Sequence, residues 1–456
     1  MSLIKNPKSS ASILSKHPLI INAAILSLSG VISRILGFLY RIFLSNIIGA
    51  ELLGLLQLIL PIYMLFVSLS SGGIQIAMSR FVAENCVYKN SPTLYKSQNK
   101  QILISGIILT LITSLLCSFL MFFSSGIISI HYLHDERTFA LLRTLSLAVP
   151  LTSLHSCITG YYLGCKNTVI PSAMQISEQL VKLASLLFFY KLPCGFPAIL
   201  AIISSELIGS GILFLSIKKD LAFKAKNLPA KVEQAKKRLG KEIKQLFTIS
   251  YILTANKVSL TILHSIEAAL IPAMLVRYGL RNQEALIVYG TLAGMALPVV
   301  SFPCALIGSI SMAVMPELTE ANVSGKNKYT RKTTLRLAVL TLQIGILCTG
   351  AFLILGDFIG NVLFHESLCS TFIRSLCWLC PFMYLEIILG SVLHSLGLTK
   401  DAFAHNLFNS IIRMFCIVFF IPRIGISGYL YGLFFGTFLT VIMHSMKILS
   451  HVSTKK

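Results

Sequence analysis

The sequence is poor in charged residues, and acidic ones are the scarcest. Only 12% of its 456 residues are charged, and Asp and Glu number 17 against 39 Lys and Arg. Soluble domains carry about twice that charged fraction. Together with 55% hydrophobic residues and a mean hydropathy of +0.79, this composition excludes an ordinary soluble protein and indicates a chain that crosses a membrane many times.

Two sequence features that would indicate nucleotide or nucleic-acid binding are missing. No G-x-x-x-x-G-K-[ST] phosphate-binding loop occurs, so ATP is not expected to be the direct energy source. The densest basic segment, residues 218–244, contains a single aromatic residue, Phe223. Because nucleic-acid-binding segments interleave aromatic with basic residues, we expect no nucleic-acid partner.

The sequence also offers little catalytic chemistry. Cys377 and Cys380 form a C-x-x-C motif, but they lie in an apolar run where thiols behave as small apolar residues. The tetrapeptide HDER at residues 134–137 is the nearest candidate for a catalytic loop, and a solvated turn is the better explanation of it. We therefore expect no enzyme activity, no cofactor and no metal site.

Long apolar runs recur along the whole chain, and each is long enough to cross roughly 30 Å of hydrocarbon as a helix. Because no water there can satisfy backbone groups, the spans must be helical, and the predicted fold is an all-α polytopic membrane protein. Twelve candidate spans are predicted, at residues 19–46, 53–82, 102–130, 138–164, 168–190, 196–217, 247–275, 287–315, 336–363, 371–396, 402–421 and 427–447.

The basic residues are distributed asymmetrically between the predicted loops. With the N-terminus in the cytoplasm, the inside segments hold about 26 Lys or Arg and the outside loops about five. This asymmetry predicts a multi-pass protein of the plasma membrane with both termini in the cytoplasm. The basic segment at residues 218–246 is then a cytoplasmic linker that lies against anionic membrane lipids.

The linker divides the chain into two candidate six-helix halves, residues 1–217 and 247–456. Leu60-Pro61 in the second span matches Leu297-Pro298 in the eighth, at an offset of about 237 residues, and Gly164 matches Gly397 at about 233. Two halves that both start inside form a parallel repeat about an axis along the membrane normal, with a substrate cavity between them.

Matched proline and glycine residues in the second and eighth spans are candidate hinges. Such residues weaken a helix, although they are also commoner in membrane helices generally. The predicted hinge residues are Pro61, Gly72, Gly73, Pro298, Pro303 and Gly308.

Several ionisable side chains fall inside the predicted spans, where each is costly and therefore faces a cavity or a partner. Arg34 lies roughly 24 Å along a helix that starts near residue 18, which places it deep in the membrane. Arg41 is nearly two turns further on the same face and can instead extend to the membrane surface. Lys257, in the span that corresponds to the first, has no acidic neighbour one turn away, so we expect it to face Arg34 across one central cavity.

Two further basic residues and one acid complete the predicted site. Glu178 and Lys182, four residues apart, are expected to neutralise each other, and Arg413 falls near Lys182 in the repeat. The predicted substrate-binding residues are Arg34, Arg41, Glu178, Lys182, Lys257 and Arg413. A basic cavity suits an anionic substrate, and the planar fork of arginine suits phosphate in particular.

Four segments resemble the multidrug, oligosaccharidyl-lipid and polysaccharide exporter superfamily, and within it the stage V sporulation protein B branch. They are SRILGFLYRIFLSNIIG, GGIQIAMSRFVAE, SAMQISEQLVK and YGTLAGMALPVVSFPCALIGSISMAVMPELTEA. Related lipid II flippases begin with an S-R-x-L-G-F pattern, which makes Arg34 the head-group-binding arginine by resemblance. The second arginine of that pattern is displaced by one position here, to Arg41, and the acid that follows is absent.

The resemblance implies flipping of a polyprenyl-pyrophosphate-linked saccharide by alternating access, as a peptidoglycan precursor for the spore cortex. It also implies contact with enzymes of cell-wall synthesis. A drug or cation antiporter of the same fold is the alternative, which the carboxylates of Glu178 and Glu206 keep open. An antiporter for cationic drugs would be expected to carry a buried carboxylate in the helices of the first half that face the cavity, and the first span has arginine instead.

Overall fold

The computed structural model describes residues 18–84, 92–193, 195–221 and 232–454, and every regular element within these ranges is a helix. Three short π-helical segments and one 3-10 turn interrupt the α-helices, at Ile128–Tyr132, Gly290–Ala296, Phe358–Leu363 and Cys377–Leu379. The α-helices, numbered in chain order, are α1 (Pro18–Ser71), α2 (Ile74–Glu84), α3 (Pro92–Ile127), α4 (Arg137–Leu145), α5 (Ala148–Gly164), α6 (Val169–Phe189), α7 (Phe196–Leu221), α8 (Val232–Tyr278), α9 (Asn282–Tyr289), α10 (Leu297–Ser301), α11 (Cys304–Val323), α12 (Asn327–Asp357), α13 (Ser367–Leu376), α14 (Cys380–Ser395), α15 (Thr399–Ile424) and α16 (Ser427–Thr454).

The protein is a multi-pass membrane protein. Within the described ranges, ten helical stretches are long and apolar enough to cross a membrane. The expected count of twelve is not confirmed, and two stretches account for the difference. Leu28–Glu84 counts as one stretch where residues 19–46 and 53–82 were expected as two, and α6 is not among the ten.

Both differences have a physical reason. A helix of 54 residues is about 80 Å long, far more than one crossing needs, and α1 is broken at Gly49, whose φ of 79° and ψ of 170° are not helical. Only a glycine takes up such a backbone conformation without strain. Helix α6 carries Glu178 and Lys182 in its middle, which lower its hydropathy.

Backbone conformation repeats along the chain. Left-handed residues, with φ between 54° and 115°, recur at a spacing of 230 or 231. Because residues other than glycine seldom adopt positive φ, the recurrence of such positions at one spacing is what a duplicated unit produces. The four pairs are Gly49 and Gly279, His134 and His365, Lys166 and Gly397, and Gly195 and Gly425.

This spacing corrects two pairings predicted from the sequence. A spacing of 230 pairs Pro298 with Ser68 rather than with Pro61, and 231 pairs Gly397 with Lys166 rather than with Gly164. The offset of 237 differs from 230 by seven residues, nearly two helical turns, so it matches the apolar face of a helix almost equally well. The division into halves at residues 218–246 stays a prediction, and residues 222–231 of that linker lie outside the described residues.

The predicted hinge residues of the second span lie in and after α1. Pro61 is inside α1, whereas Gly72 and Gly73 form the turn that separates α1 from α2. The Gly73 amide donates to the Thr254 hydroxyl of α8 at 2.9 Å, which joins this turn to the second half of the chain. The Gly72–Gly73 turn is therefore a break in the helix at a contact between the halves.

The predicted hinge residues of the eighth span lie in α10, in α11 and between these two helices. Pro298 is in the first turn of α10, and Pro303 directly precedes α11. Gly308 is inside α11, and a Cβ atom there would meet nothing within 4 Å. Of these three positions, Pro303 coincides with a helix break, the turn at residues 302–303.

The two halves also meet closely near the break at Gly49. A Cβ atom on Gly54 would lie 2.1 Å from the Leu286 carbonyl oxygen, and one on Gly290 would lie 2.1 Å from that of Ala50. Only glycine permits such an approach of two helix backbones. The α1 region around Gly54 therefore packs directly on the end of α9.

Candidate functional site: two adjoining cavities with different charge

A cavity of about 610 Å³, called the first cavity below, lies between helices α1, α5, α6 and α7. Residues of the second half, including Ala293 and Pro298, complete its wall. The cavity is therefore lined from both halves of the chain. Its ionisable lining residues are Arg34, Arg41, Lys182 and Glu206.

The structure brings three of the six predicted substrate-binding residues together in this cavity. Arg34 and Arg41 extend from α1 and Lys182 from α6. Arg34 and Lys182 form no ion pair or hydrogen bond with any other residue in the described part of the chain. Arg41 donates from Nη1 to the Gly294 carbonyl oxygen at 3.3 Å, a long hydrogen bond that joins it to the second half. The wall of the first cavity thus carries three cationic side chains and one carboxylate.

The predicted pairing of Glu178 with Lys182 is not present among the described residues. Glu178 Oε1 lies 2.9 Å from His155 Nδ1, and Glu206 Oε2 lies 3.4 Å from the same nitrogen. Helices α5, α6 and α7 each contribute one member of this cluster, and all three side chains are largely buried. Lys182 is consequently left without a carboxylate partner.

A second cavity, of about 380 Å³, lies between α1 and helices α8, α14, α15 and α16. It shares Gln57, Ala293 and Leu297 with the first cavity, so the two adjoin. Its ionisable lining includes one strong base, Arg413, and two acids, Glu267 and Glu386.

Arg413, another predicted substrate-binding residue, is engaged within the second cavity. Its Nη2 lies 3.2 Å from Glu267 Oε2, and the two side chains are only 15% and 7% exposed. The Tyr429 hydroxyl donates to the other oxygen of Glu267 at 2.8 Å, and Asn409 donates to Glu386 at 3.2 Å. Arg413 is therefore neutralised by the protein itself.

Lys257, the sixth predicted residue, lines neither cavity. Its side chain is exposed, and its Cδ lies 3.5 Å from where a Cβ atom of Gly72 would be. The structure thus places Lys257 beside the Gly72–Gly73 turn rather than opposite Arg34. An offset of 230 pairs Arg34 with His264 instead, which does line the second cavity.

Sequence reasoning missed the role of His155 and the partners of Arg413. A lone histidine in an apolar helix gives no local signal, because its carboxylate neighbours come from α6 and α7. A usable signal was the repeat itself: the backbone spacing pairs Lys182 with Arg413 and Gly37 with Glu267. At the correct offset, the sequence shows that the second half has an acid, Glu267, where the first half has Gly37.

Comparison with known proteins agrees with this architecture. The profile of the family described as "Polysaccharide biosynthesis protein" matches residues 19–322, more than half of the chain. The chain belongs to this family. Its resemblance to the exporter superfamily and to the stage V sporulation protein B branch is thereby confirmed, since curated relatives include members of both.

Two relatives and one solved structure illustrate the likeness. Stage V sporulation protein B of Bacillus subtilis (strain 168) is 24% identical, over 95% of this chain and 84% of that protein. Lipid II flippase MurJ of the same organism is 29% identical over 36% of this chain and 30% of its own length. An inward-facing multidrug resistance transporter of the MATE family has a TM-score of 0.76 at 13% identity, covering 95% of this chain and 98% of that one, which shows a shared fold.

Proposed function

We propose that this protein moves a polyprenyl-pyrophosphate-linked saccharide across the plasma membrane by alternating access, and that it is not an enzyme. The proposed cargo is a peptidoglycan precursor for synthesis of the spore cortex, delivered to enzymes of cell-wall synthesis. The names of two relatives support this proposal, one a sporulation protein and the other a lipid II flippase.

The observation that carries the proposal is the charge of the first cavity. Ionisable side chains are expensive within a membrane, so three basic residues that have no ion pair in the part of the chain that the structure describes need another anion. A pyrophosphate supplies it, and the fork of Arg34 can donate two parallel hydrogen bonds to phosphate oxygens. Lys182, on the opposite wall, adds a point charge.

The size and energetics of the first cavity suit a lipid head group. Its volume of about 610 Å³ lies within the usual range of ligand pockets, about 300–1,000 Å³. With the cytoplasm negative, outward movement of the head group gains roughly 2.3 kcal/mol per charge for every 100 mV. The membrane potential can therefore bias the movement without ATP.

Alternating access requires the two halves to move relative to each other, and the first cavity is lined from both. We propose that the halves are residues 1–217 and 247–456 in a twelve-helix arrangement, that residues 218–246 lie on anionic lipid and that both termini are cytoplasmic. Single cysteines at Asn227 and Gln283, in a cysteine-free background, then react with impermeant reagents from inside and outside respectively. Labelling of Asn227→Cys from outside would contradict this topology.

Substitutions at Arg34 test the function directly, with flipping of a lipid-linked saccharide in reconstituted vesicles as the assay. If Arg34 grips pyrophosphate, Arg34→Lys is clearly impaired and Arg34→Ala and Arg34→Glu are worse, at unchanged protein abundance. The matched control is Arg80→Lys, since Arg80 is exposed and paired with Glu84. Full activity of Arg34→Ala would remove the pyrophosphate-binding role.

A drug or cation antiporter of the same fold remains the second candidate, because Glu206 lines the first cavity and Glu178 adjoins it. These carboxylates could receive a cationic cargo. In that case Arg34→Ala would raise rather than lower transport, because it removes a like charge from the path. Efflux of a cationic dye from the same vesicles distinguishes the two candidates.

A further inference from the structure

His155, Glu178 and Glu206 form a compact set of metal-ligating side chains that the proposed transport function does not use. Their nearest ligand atoms all lie within 4.8 Å of one another. The three residues come from three different helices, α5, α6 and α7, so no local sequence pattern brings them together. We propose that they bind one divalent transition-metal ion of the Zn²⁺ or Mn²⁺ class at the edge of the first cavity.

The distances agree with ligation of a single ion. Metal–nitrogen and metal–oxygen bonds of about 2.0–2.2 Å place two ligands of one ion roughly 3–3.5 Å apart. The two measured separations from His155 Nδ1 are 2.9 Å to Glu178 and 3.4 Å to Glu206. The third separation, between the two carboxylates, is within 4.8 Å.

A buried oxygen points to a further cation at this place. Glu178 Oε1 is buried and has no hydrogen bond of good geometry within the described part of the chain, although His155 Nδ1 lies 2.9 Å away as an ion-pair contact. An ordinary histidine–carboxylate hydrogen bond would have satisfied that oxygen. A metal ion bound between the imidazole and both carboxylates satisfies it and balances their two negative charges.

Gly209 of α7 leaves the space in which the Glu178 carboxylate lies. A Cβ atom at Gly209 would lie 2.7 Å from Glu178 Oε1 and 3.0 Å from its Cγ. Any other residue would therefore push the carboxylate out of this position. At Gly211, two residues further along α7, an added Cβ atom would meet nothing within 4 Å. Of these two glycines, Gly209 is therefore the one whose lack of a side chain makes room for the carboxylate.

The ligand types favour a transition metal over Mg²⁺ or Ca²⁺. Imidazole suits Zn²⁺ and its neighbours, whereas Mg²⁺ and Ca²⁺ prefer oxygen ligands only. Three protein ligands leave one coordination position of a tetrahedral ion free. Since Glu206 lines the first cavity, that position can face the cavity, and the bound ion would cancel the negative charge of Glu206 on its wall.

The test is binding of Mn²⁺ to the purified full chain in detergent, measured by electron paramagnetic resonance without any lipid substrate. We use Mn²⁺ because free cysteines, nine of them in the described part of the chain, favour Zn²⁺. Wild-type protein is expected to bind one Mn²⁺ saturably, and His155→Ala and Glu206→Gln are expected to lose it. Gly209→Ala keeps all three ligating residues but crowds the Glu178 carboxylate, so it should weaken binding roughly 10–100-fold.

Two controls keep the result specific. Gly211→Ala should bind Mn²⁺ like wild type, and so should His405→Ala, which alters the buried pair of rings formed by His405 and His444. Each variant is checked for a single symmetric peak in size-exclusion chromatography. Absence of saturable Mn²⁺ binding to wild type, or binding unchanged in His155→Ala, overturns the proposal. Because no lipid substrate is present, this outcome is independent of the test on Arg34.

Discussion

The two cavities occupy related places in the two halves of the chain but have opposite charge. The first has three basic residues against one carboxylate on its wall, whereas the second has one strong base against two. In the second cavity Arg413 is held by Glu267 at 3.2 Å, while in the first Lys182 has no such partner in the described part of the chain. Only the first cavity therefore has cations available for an anionic ligand.

The backbone repeat traces this difference to single positions. An offset of 231 pairs Lys182 with Arg413, so each half keeps a base on the corresponding helix. An offset of 230 pairs Glu267 with Gly37, so the acid that neutralises the base exists in only one half. Under the proposed function, the first cavity would bind the substrate, whereas the base of the second cavity is held by its own ion pair.

The largest effect is expected when the first cavity receives the acid that it lacks, the counterpart of Glu267. Gly37→Glu places a carboxylate on its wall beside Arg34 and facing Lys182, and the site has room because Gln179 is 3.5 Å from an added Cβ atom. A unit charge about 4 Å from a cation near a protein surface contributes up to about 4 kcal/mol. We expect flipping in vesicles to fall by about ten-fold or more.

Gly37→Gln is the control for side-chain size, and Gly30→Glu is the control for charge on the same helix, since an added Cβ atom at Gly30 meets nothing within 4 Å. Both should stay much closer to wild type. Equal loss in Gly37→Gln and Gly37→Glu would mean that bulk rather than charge is responsible.

Removal of the acid from the second cavity is the reverse change. It should lower the stability of the protein and leave its transport specificity unchanged. Glu267→Gln leaves the largely buried Arg413 without its main counter-ion, and removal of one partner of a buried pair costs about 3 kcal/mol. We expect a clear decrease in the Tm of the purified protein. The double variant Glu267→Gln with Arg413→Met should recover much of this loss, because no unpaired charge remains. A double variant as unstable as the single one would show that packing, not charge, sets the effect.

Composition and periodicity were sufficient to predict the all-helical membrane fold and the presence of deep basic residues. Arg34, Arg41 and Lys182 were predicted from their cost in hydrocarbon alone, and the structure places all three in one cavity. The pairing of side chains from different helices was not predictable. Glu178 has Lys182 four residues away in sequence, yet it contacts His155 of α5, because helix packing decides which face meets which neighbour.

A smaller effect is expected at the helix break between α1 and α2. A Cβ atom at Gly72 would lie 2.5 Å from the Ser68 carbonyl oxygen, a backbone atom that cannot rotate away. Gly72→Ala should therefore strain the turn by about 1 kcal/mol or more and slow flipping several-fold. Gly308→Ala is the matched control in the other half, since its added Cβ atom meets open space. Equal rates in both variants and wild type would show that neither glycine acts as a hinge.

The smallest expected effect concerns Arg41, whose side chain lines the first cavity and donates to the Gly294 carbonyl oxygen. Its hydrogen bond to the Gly294 carbonyl oxygen is 3.3 Å long, so it contributes at the low end of the usual 0.5–1.5 kcal/mol. Arg41→Lys keeps the charge and loses this bond, which predicts a decrease in flipping of about two-fold. Arg41→Met loses both and should fall further, though less than Arg34→Ala, because within the described residues Arg34 has no hydrogen bond to keep it from a ligand. The measurement is the initial flipping rate of the three variants in vesicles at matched protein density. A greater loss in Arg41→Met than in Arg34→Ala would make Arg41 the main contact of the head group and reverse the order of the two arginines.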